Sequence, residues 1–75
     1  MKRKVSYGNR LKVLREQAGY TQADLAEKVG VTRQTIISIE RGKYSPSLDT
    51  AFVIADAFDL EIGEVFFKRT EDDPS

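Results

Sequence analysis

The chain has 75 residues, the length of one small domain, and contains neither Cys nor His. Disulfide bonds and metal sites built from thiolates or imidazoles are therefore excluded, and no apolar run reaches the roughly 18 residues of a membrane-spanning helix. The net charge of zero conceals an asymmetry, since residues 1–46 carry ten Lys and Arg against four acids and residues 47–75 carry two against eight. This asymmetry indicates a polyanionic partner on one side, although charges that merely face solvent would give the same pattern.

The elements expected in chain order are short helices, of which the first three end at Gly19, Gly30 and Gly42. Residues 1–7 form a basic arm without apolar periodicity, which we expect to be flexible. Apolar residues at three- and four-residue spacing predict a first helix over about residues 8–18. Thr21 and Asp24 have the spacing of a capping box, and they begin a second helix that Gly30 ends.

Three further helices complete the predicted domain. Thr32 and Ser47 each supply a hydroxyl that caps the start of a helix. A short last helix is expected around residues 63–67, and the polar, acidic tail 70–75 is expected to be disordered. Because no run alternates with period two over a useful length, the predicted fold is all-α, with five short helices in one domain over residues 8–69.

Residues 21–43 contain two short helices joined by a turn of three to four residues around Gly30. A glycine in so short a joint sends the second helix off at a steep angle, which is the helix-turn-helix geometry. On a helical wheel of the second helix, residues 32–41, Ile36 and Ile39 point to one side. The opposite side presents Arg33, Gln34, Ile37, Ser38 and Arg41.

The outer face of this helix carries side chains of the types that contact base edges in a DNA major groove. Arg can fork onto the two acceptors of guanine, Gln can pair with adenine, and a branched apolar residue can touch the thymine methyl group. Since the start of such a helix reaches deepest, Arg33 and Gln34 are the main candidates for base contacts. Any surface helix also shows a few polar side chains and a stray Ile, so this face alone leaves an ordinary solvated surface open.

Sequence motifs extend over most of the chain, about residues 9–67. The central motif is LAEKVGVTRQTIISIERGK at residues 25–43, flanked by Leu14-Arg15-Glu16, GYTQ at residues 19–22, SPSL at residues 45–48 and Glu64-Val65-Phe66. Together these motifs resemble the Cro/repressor, or Xre-type, family of helix-turn-helix regulators. The resemblance implies a compact five-helix, lambda-repressor-like DNA-binding domain that binds double-stranded DNA as a homodimer.

The resemblance also implies roles for the residues at matching positions. Base contacts are implied for Arg33, Gln34 and Ser38, with Ile37 beside them. Phosphate contacts are implied for Gln22, Thr32, Thr35, Lys43, Tyr44 and Ser45. Arg15 and Glu40 match a pair that often forms a structural salt bridge between the first and third helices.

Two positions depart from the family pattern. Arg41 stands where Asn is common, and we expect it to supply an additional phosphate contact. Val53 stands where a charge is frequent, and with Phe67 it would form an exposed apolar strip of the kind that marks partner surfaces. Val53, Phe66 and Phe67 are therefore the candidates for a dimer interface, with an isolated surface residue at Val53 and a core position at Phe66 as alternatives.

The expected function is that of a cytoplasmic transcriptional regulator, by default a repressor, whose third helix binds a palindromic operator in the major groove. No cofactor, metal or membrane contact is expected. An enzyme is disfavoured because acid–base catalysis needs His or paired carboxylates in a cleft, and nucleophilic catalysis needs an activated Ser, Cys or Lys. The chain has no His or Cys, and its acids fall mainly on outward positions of the second half. The competing hypothesis is an antitoxin or protein-interaction module of the same fold, and whether a toxin or polymerase is a partner stays open.

Overall fold

Five helices and two short strands make up residues 5–70, the part of the chain that the computed structural model describes. In chain order they are β1 (Val5–Asn9), α1 (Leu11–Gln17), α2 (Gln22–Val29), α3 (Arg33–Glu40), α4 (Leu48–Ala57), α5 (Ile62–Val65) and β2 (Phe66–Thr70). Residues 1–4 and 71–75, which include most of the predicted basic arm and acidic tail, lie outside the described residues. None of the helices described is long and apolar enough to cross a membrane.

The boundaries of α2 and α3 follow the capping residues that the sequence indicates. The Thr21 hydroxyl accepts from the Asp24 amide and the Asp24 carboxylate accepts from the Thr21 amide, both at 2.9 Å. Gly30 ends α2 with a φ of 81°, a left-handed conformation that favours glycine. Thr32 then caps α3 by accepting from the Thr35 amide at 3.1 Å. The predicted helix-turn-helix is therefore present, with α3 as its second helix.

The hydrophobic core lies between the helices and fixes one side of α3. Its buried members come from all five helices: Leu11, Leu25, Ala26, Ile36, Ile39, Ile54, Ala55 and Val65. Burial of a side chain such as Leu or Ile is worth roughly 1.5–3 kcal/mol, so Ile36 and Ile39 hold α3 firmly in one rotation about its axis. The opposite side of α3 is consequently turned to solvent.

The five predicted helices are confirmed, and a two-stranded antiparallel sheet that the sequence did not predict joins the two ends of the described segment. β1 pairs with β2 in a register that places Gly8 opposite Phe67 and Asn9 opposite Phe66. The ring of Phe67 lies so close to Gly8 that a Cβ at this position would overlap it. Polar and apolar residues alternate only over Val5-Ser6-Tyr7 in β1 and not at all in β2, and each strand pairs with the far end of the described segment. Local periodicity therefore could not predict the sheet.

Because of the sheet, three boundaries between segments differ from those predicted from the sequence. Residues 5–7, which the sequence assigned to the flexible arm, lie in β1. The last helix, predicted around residues 63–67, ends at Val65 because the chain turns there into an extended strand. Thr70, assigned to the tail, is the last residue of β2. Backbone pairing with the opposite end of the chain is the physical reason for all three differences.

One buried ion pair connects α1 to α3. Arg15 Nε donates to Glu40 Oε2 at 2.6 Å and Arg15 Nη2 donates to Oε1 at 3.2 Å, and the two side chains are only 10% and 4% exposed. The remaining guanidinium nitrogen, Nη1, donates to the backbone carbonyl of Tyr20 at 3.0 Å. The hydrogen bond with Glu40 raises the pKa of Arg15, which favours the charged guanidinium. Each partner therefore compensates a charge that would be costly to bury alone.

Replacing only one partner of this pair should destabilise the fold more than replacing both. Arg15→Met leaves the Glu40 carboxylate buried without its cation, and we expect a loss of about 3 kcal/mol in the free energy of unfolding. Arg15→Met/Glu40→Leu removes both charges and should recover most of that loss. Urea unfolding followed by circular dichroism measures both variants, and a double variant no more stable than the single one would contradict this account.

The capping box should make part of the stability depend on pH. Hydrogen bonds from the amide and hydroxyl of Thr21 hold the pKa of Asp24 below its ordinary value. The carboxylate therefore stabilises the fold fully above that ordinary value, and its contribution is lost as the pH falls through the lowered pKa. We expect Asp24→Ala to be less stable than the wild type at neutral pH, with the difference disappearing in strong acid.

Asp49 provides a matched control, because it lies exposed in the first turn of α4 and makes no side-chain hydrogen bond within residues 5–70. Thermal unfolding of Asp24→Ala and Asp49→Ala across acidic and neutral pH compares the two. A deficit for Asp24→Ala that stays constant with pH, or an equal one for Asp49→Ala, would argue against the capping-box carboxylate as its source.

Candidate nucleic-acid interface

The outward face of α3 carries the predicted base-contacting residues in two environments. Arg33 and Gln34, at the start of the helix, are exposed, whereas Ile37 and Ser38, one turn later, are half-buried. Ile37 is thus less exposed than its position on the wheel suggested. All four lie on the side of α3 away from Ile36 and Ile39, which are buried in the core. The free start of the helix is accordingly the part that can reach furthest into a groove.

The two threonines at the start of α3, Thr32 and Thr35, are hydrogen-bonded to each other through their hydroxyl groups. Thr32 Oγ1 and Thr35 Oγ1 are 2.9 Å apart, so one hydroxyl donates to the other. Thr32 Oγ1 also accepts from the Thr35 amide. Of the two hydroxyl hydrogens, one is therefore used internally, and the pair can offer a single O–H donor to an external acceptor.

A concave surface of about 380 Å³ brings together six of the predicted DNA-contacting residues. Its lining consists of Thr32, Gln34, Thr35, Ser38, Lys43 and Tyr44. Lys43 and Tyr44 are exposed in the loop that follows α3, so the surface spans the first half of the helix and that loop. Arg33, Gln22, Ile37, Arg41 and Ser45 do not line it.

Gln22 is bound to the buried ion pair, a contact that the sequence analysis missed. Its side-chain nitrogen Nε2 donates to Glu40 Oε1 at 3.2 Å. Gln22 is the first residue of α2 and is half-buried, while Glu40 is the last residue of α3. The two helices of the helix-turn-helix are thus joined at their far ends as well as by the turn. A separation of 18 residues gave no local signal for this bond.

Asn9 is a second residue that the sequence analysis did not single out. Its Nδ2 donates to the backbone carbonyl of Ile39, near the end of α3, and its Oδ1 accepts from the amide of Leu11, both at 2.9 Å. Helix α1 therefore begins at Leu11, later than predicted. An Asn just before an apolar periodic run is a recognisable helix-start signal, whereas its bond to α3 is long-range.

Charge divides this part of the molecule into two sides. The exposed basic residues of the helix-turn-helix and its following loop are Lys28, Arg33, Arg41 and Lys43, and its exposed acids, Asp24 and Glu27, both lie on α2. The exposed acids of the second half lie on and around α4 and α5: Asp49, Asp56, Asp59, Glu61 and Glu64. Within residues 5–70, no group of three or more carboxylates is placed to hold a metal ion. A polyanion would accordingly be attracted to the side that presents α3.

Comparisons with known proteins agree with this geometry. A family model described as helix-turn-helix, HTH_3, matches residues 11–65. The chain is 54% identical over 64 residues to the HTH-type transcriptional regulator MJ0272 of Methanocaldococcus jannaschii, which covers 85% of this chain and 97% of that protein.

Two solved structures have a similar fold. The restriction-modification controller protein C.AhdI from Aeromonas hydrophila matches with a TM-score of 0.67 and 35% identity, over 72% of this chain and 78% of that one. SinR, the master regulator for biofilm formation, solved in complex with DNA, matches with a TM-score of 0.66 and 33% identity, over 71% and 86%. The chain therefore belongs to the HTH_3, Xre/Cro-type family of helix-turn-helix transcriptional regulators, which bind DNA and are not enzymes.

Proposed function

We propose that this chain binds one specific duplex sequence by inserting the start of α3 into the major groove. The observation that carries the proposal is the orientation of α3: Ile36 and Ile39 are buried, while Arg33 and Gln34 are exposed at its free end. Arg33 is suited to guanine and Gln34 to adenine. Ser38 and Ile37 lie one turn further along, where Ile37 could contact a thymine methyl group from a half-buried position.

Phosphate contacts would flank the groove on both sides of α3. On one side stand Gln22 and the Thr32–Thr35 pair, which offers one hydroxyl donor. On the other side the exposed loop after α3 presents Lys43, Tyr44 and Ser45, with Arg41 at the end of the helix. The positive charge of this half supports the assignment, because neutralising phosphates releases counterions and supplies most of the affinity for any DNA sequence.

A homodimer is the second part of the proposal. A groove of about 400 Å³ lies beside the loop after α3, lined by Ser45, Pro46, Leu48, Ala51 and Phe66. Leu48 and Phe52, one turn apart on α4, are 66% and 50% exposed. A groove and protruding apolar side chains on one face suit a twofold interface, in which each copy uses the same surface.

The sequence-based candidates for the interface fit this face unequally. Phe66 lines the groove and packs against the core. Val53 and Phe67 are exposed by 45% and 38%, but Val53 is turned about 100° from Phe52 on the helix, and the ring of Phe67 already lies against Gly8. We therefore centre the proposed interface on Leu48, Phe52 and Phe66, and Val53 and Phe67 remain candidates at its margin.

Two copies would bind inverted half-sites about one helical turn, roughly 34 Å, apart. A single α3 contacts few base pairs, so a dimer on a palindromic operator supplies specificity that one copy lacks. Repression in the cytoplasm is the simplest outcome, because a protein that occupies promoter DNA excludes polymerase without needing another surface.

Arg33 and Lys43 should affect DNA binding in different ways. Arg33→Ala should cost about 1–3 kcal/mol on the preferred sequence and relax the preference at one base position. Lys43→Ala should weaken binding to all sequences alike and lower the salt dependence by about one counterion. Titrations on preferred and random duplexes at several salt concentrations measure both, and an equal loss on the two duplexes for Arg33→Ala would remove it from the base contacts.

The proposed dimer interface can be tested with two single aspartate variants, one on α4 as the test and one on α1 as the control. Leu48→Asp should convert the dimer to a monomer in sedimentation velocity while leaving the fold intact, because an acid in the first turn of α4 suits the helix dipole. Val13→Asp is the matched control, since Val13 is 53% exposed in the first turn of α1, away from the groove. A Leu48→Asp variant that sediments as the wild type does would refute the interface.

A further inference from the structure

Glu40 lies where three helices meet, and its carboxylate accepts from two different side chains. Oε2 accepts from Arg15 Nε, while Oε1 accepts from Arg15 Nη2 and from Gln22 Nε2, each at 3.2 Å. The side chain of Glu40 is only 4% exposed, so it is not itself placed to reach a ligand. Gln22, in contrast, is half-buried at the start of α2. Any effect of Glu40 on a bound ligand must therefore pass through a neighbour.

The hydrogen bond to Glu40 fixes the orientation of the Gln22 side-chain amide. A carboxylate only accepts hydrogen bonds, so the amide nitrogen must face Glu40 and the amide oxygen must face away from it. A reversed amide would set two acceptors against each other. The nitrogen carries two hydrogens, and Glu40 takes one of them. The second hydrogen is the side-chain donor that Gln22 retains for an external acceptor such as a phosphate oxygen.

We propose that Glu40 is a positioning residue for DNA binding, whose carboxylate, held by Arg15, orients Gln22 so that its second amide hydrogen meets the DNA backbone. The inference rests on the proposed function and adds to the salt bridge a role in the phosphate contact. Arg15 has its own part, because its positive charge offsets a carboxylate that would otherwise repel the nearby phosphate. A donor held in place before binding loses less side-chain entropy when the complex forms.

Two double variants without the charges of the ion pair distinguish the effect of a hydrogen-bond acceptor at position 40 from the effect of the ion pair itself. Arg15→Met/Glu40→Gln keeps a carbonyl oxygen that can accept from Gln22, whereas Arg15→Met/Glu40→Leu removes the acceptor, and neither leaves a buried charge. Affinity for the duplex selected by the wild type is measured in each background with and without Gln22→Ala. The affinities are measured at a temperature at which every variant is folded, as judged by circular dichroism.

We expect Gln22→Ala to weaken DNA binding by about tenfold or more in the wild type and in the Glu40→Gln background, as loss of one hydrogen bond to a charged group predicts. In the Glu40→Leu background the loss should be less than about twofold, because Gln22 is no longer held. Lys43→Ala is the control and should cost the same factor in all three proteins. Equal losses from Gln22→Ala in the two backgrounds would overturn the positioning role, as would background-dependent losses from Lys43→Ala.

The side-chain amide signals of Gln22 in nitrogen-15 NMR spectra give a test without DNA. They should shift in the Glu40→Leu background and stay near their wild-type positions in the Glu40→Gln background. Signals that do not distinguish the two backgrounds would overturn the positioning role alone, even if the protein binds DNA. A folded wild type without affinity for any duplex would instead overturn the proposed function, and the inference with it.

Discussion

The buried carboxylate of Glu40 is the interaction on which the arrangement of α1, α2 and α3 depends. It accepts from Arg15 on α1 and from Gln22 on α2, and it stands at the end of α3. Asn9 adds a bond from the end of β1 to the neighbouring carbonyl of Ile39. Polar contacts thus fix the carboxyl end of α3, while the core fixes its rotation. The free start of the helix is left to meet a ligand on a rigid support.

The two halves of the chain differ in charge and in exposed apolar surface. The basic half contains the helix-turn-helix, which the family assigns to DNA, whereas the acidic half contains α4, α5 and most of the exposed apolar side chains. Repulsion between the acids and phosphate would turn the second half away from DNA. The same half is then available for the proposed contact between two copies, with Leu48 and Phe52 beside the loop that follows α3.

Local signals in the sequence were sufficient for the ends of α2 and α3 but not for the sheet. Thr21, Gly30 and Thr32 mark the ends of α2 and α3 through bonds to residues close in sequence, and the structure contains those bonds. The pairing of Gly8 with Phe67 is decided between opposite ends of the chain, so no window of sequence reveals it. The assignment of residues 66 and 67 to a helix was wrong for this reason.

In the candidate site, too, some features could be predicted from the sequence and others depend on contacts between distant residues. The outward face of α3 follows from helical periodicity, and the Arg15–Glu40 pair from the family resemblance. The bond between Gln22 and Glu40 depends instead on how the two helices cross, and so does the half-buried environment of Ile37.

Selection from random duplex DNA by the purified protein, at near-physiological salt, tests whether a dimer binds one specific duplex sequence through α3. We predict enrichment of two inverted half-sites about one helical turn apart, since α3 would be presented twice by a symmetric dimer. Enrichment of no sequence, with only weak binding that salt abolishes, would contradict this prediction. The basic half would then supply non-specific affinity alone.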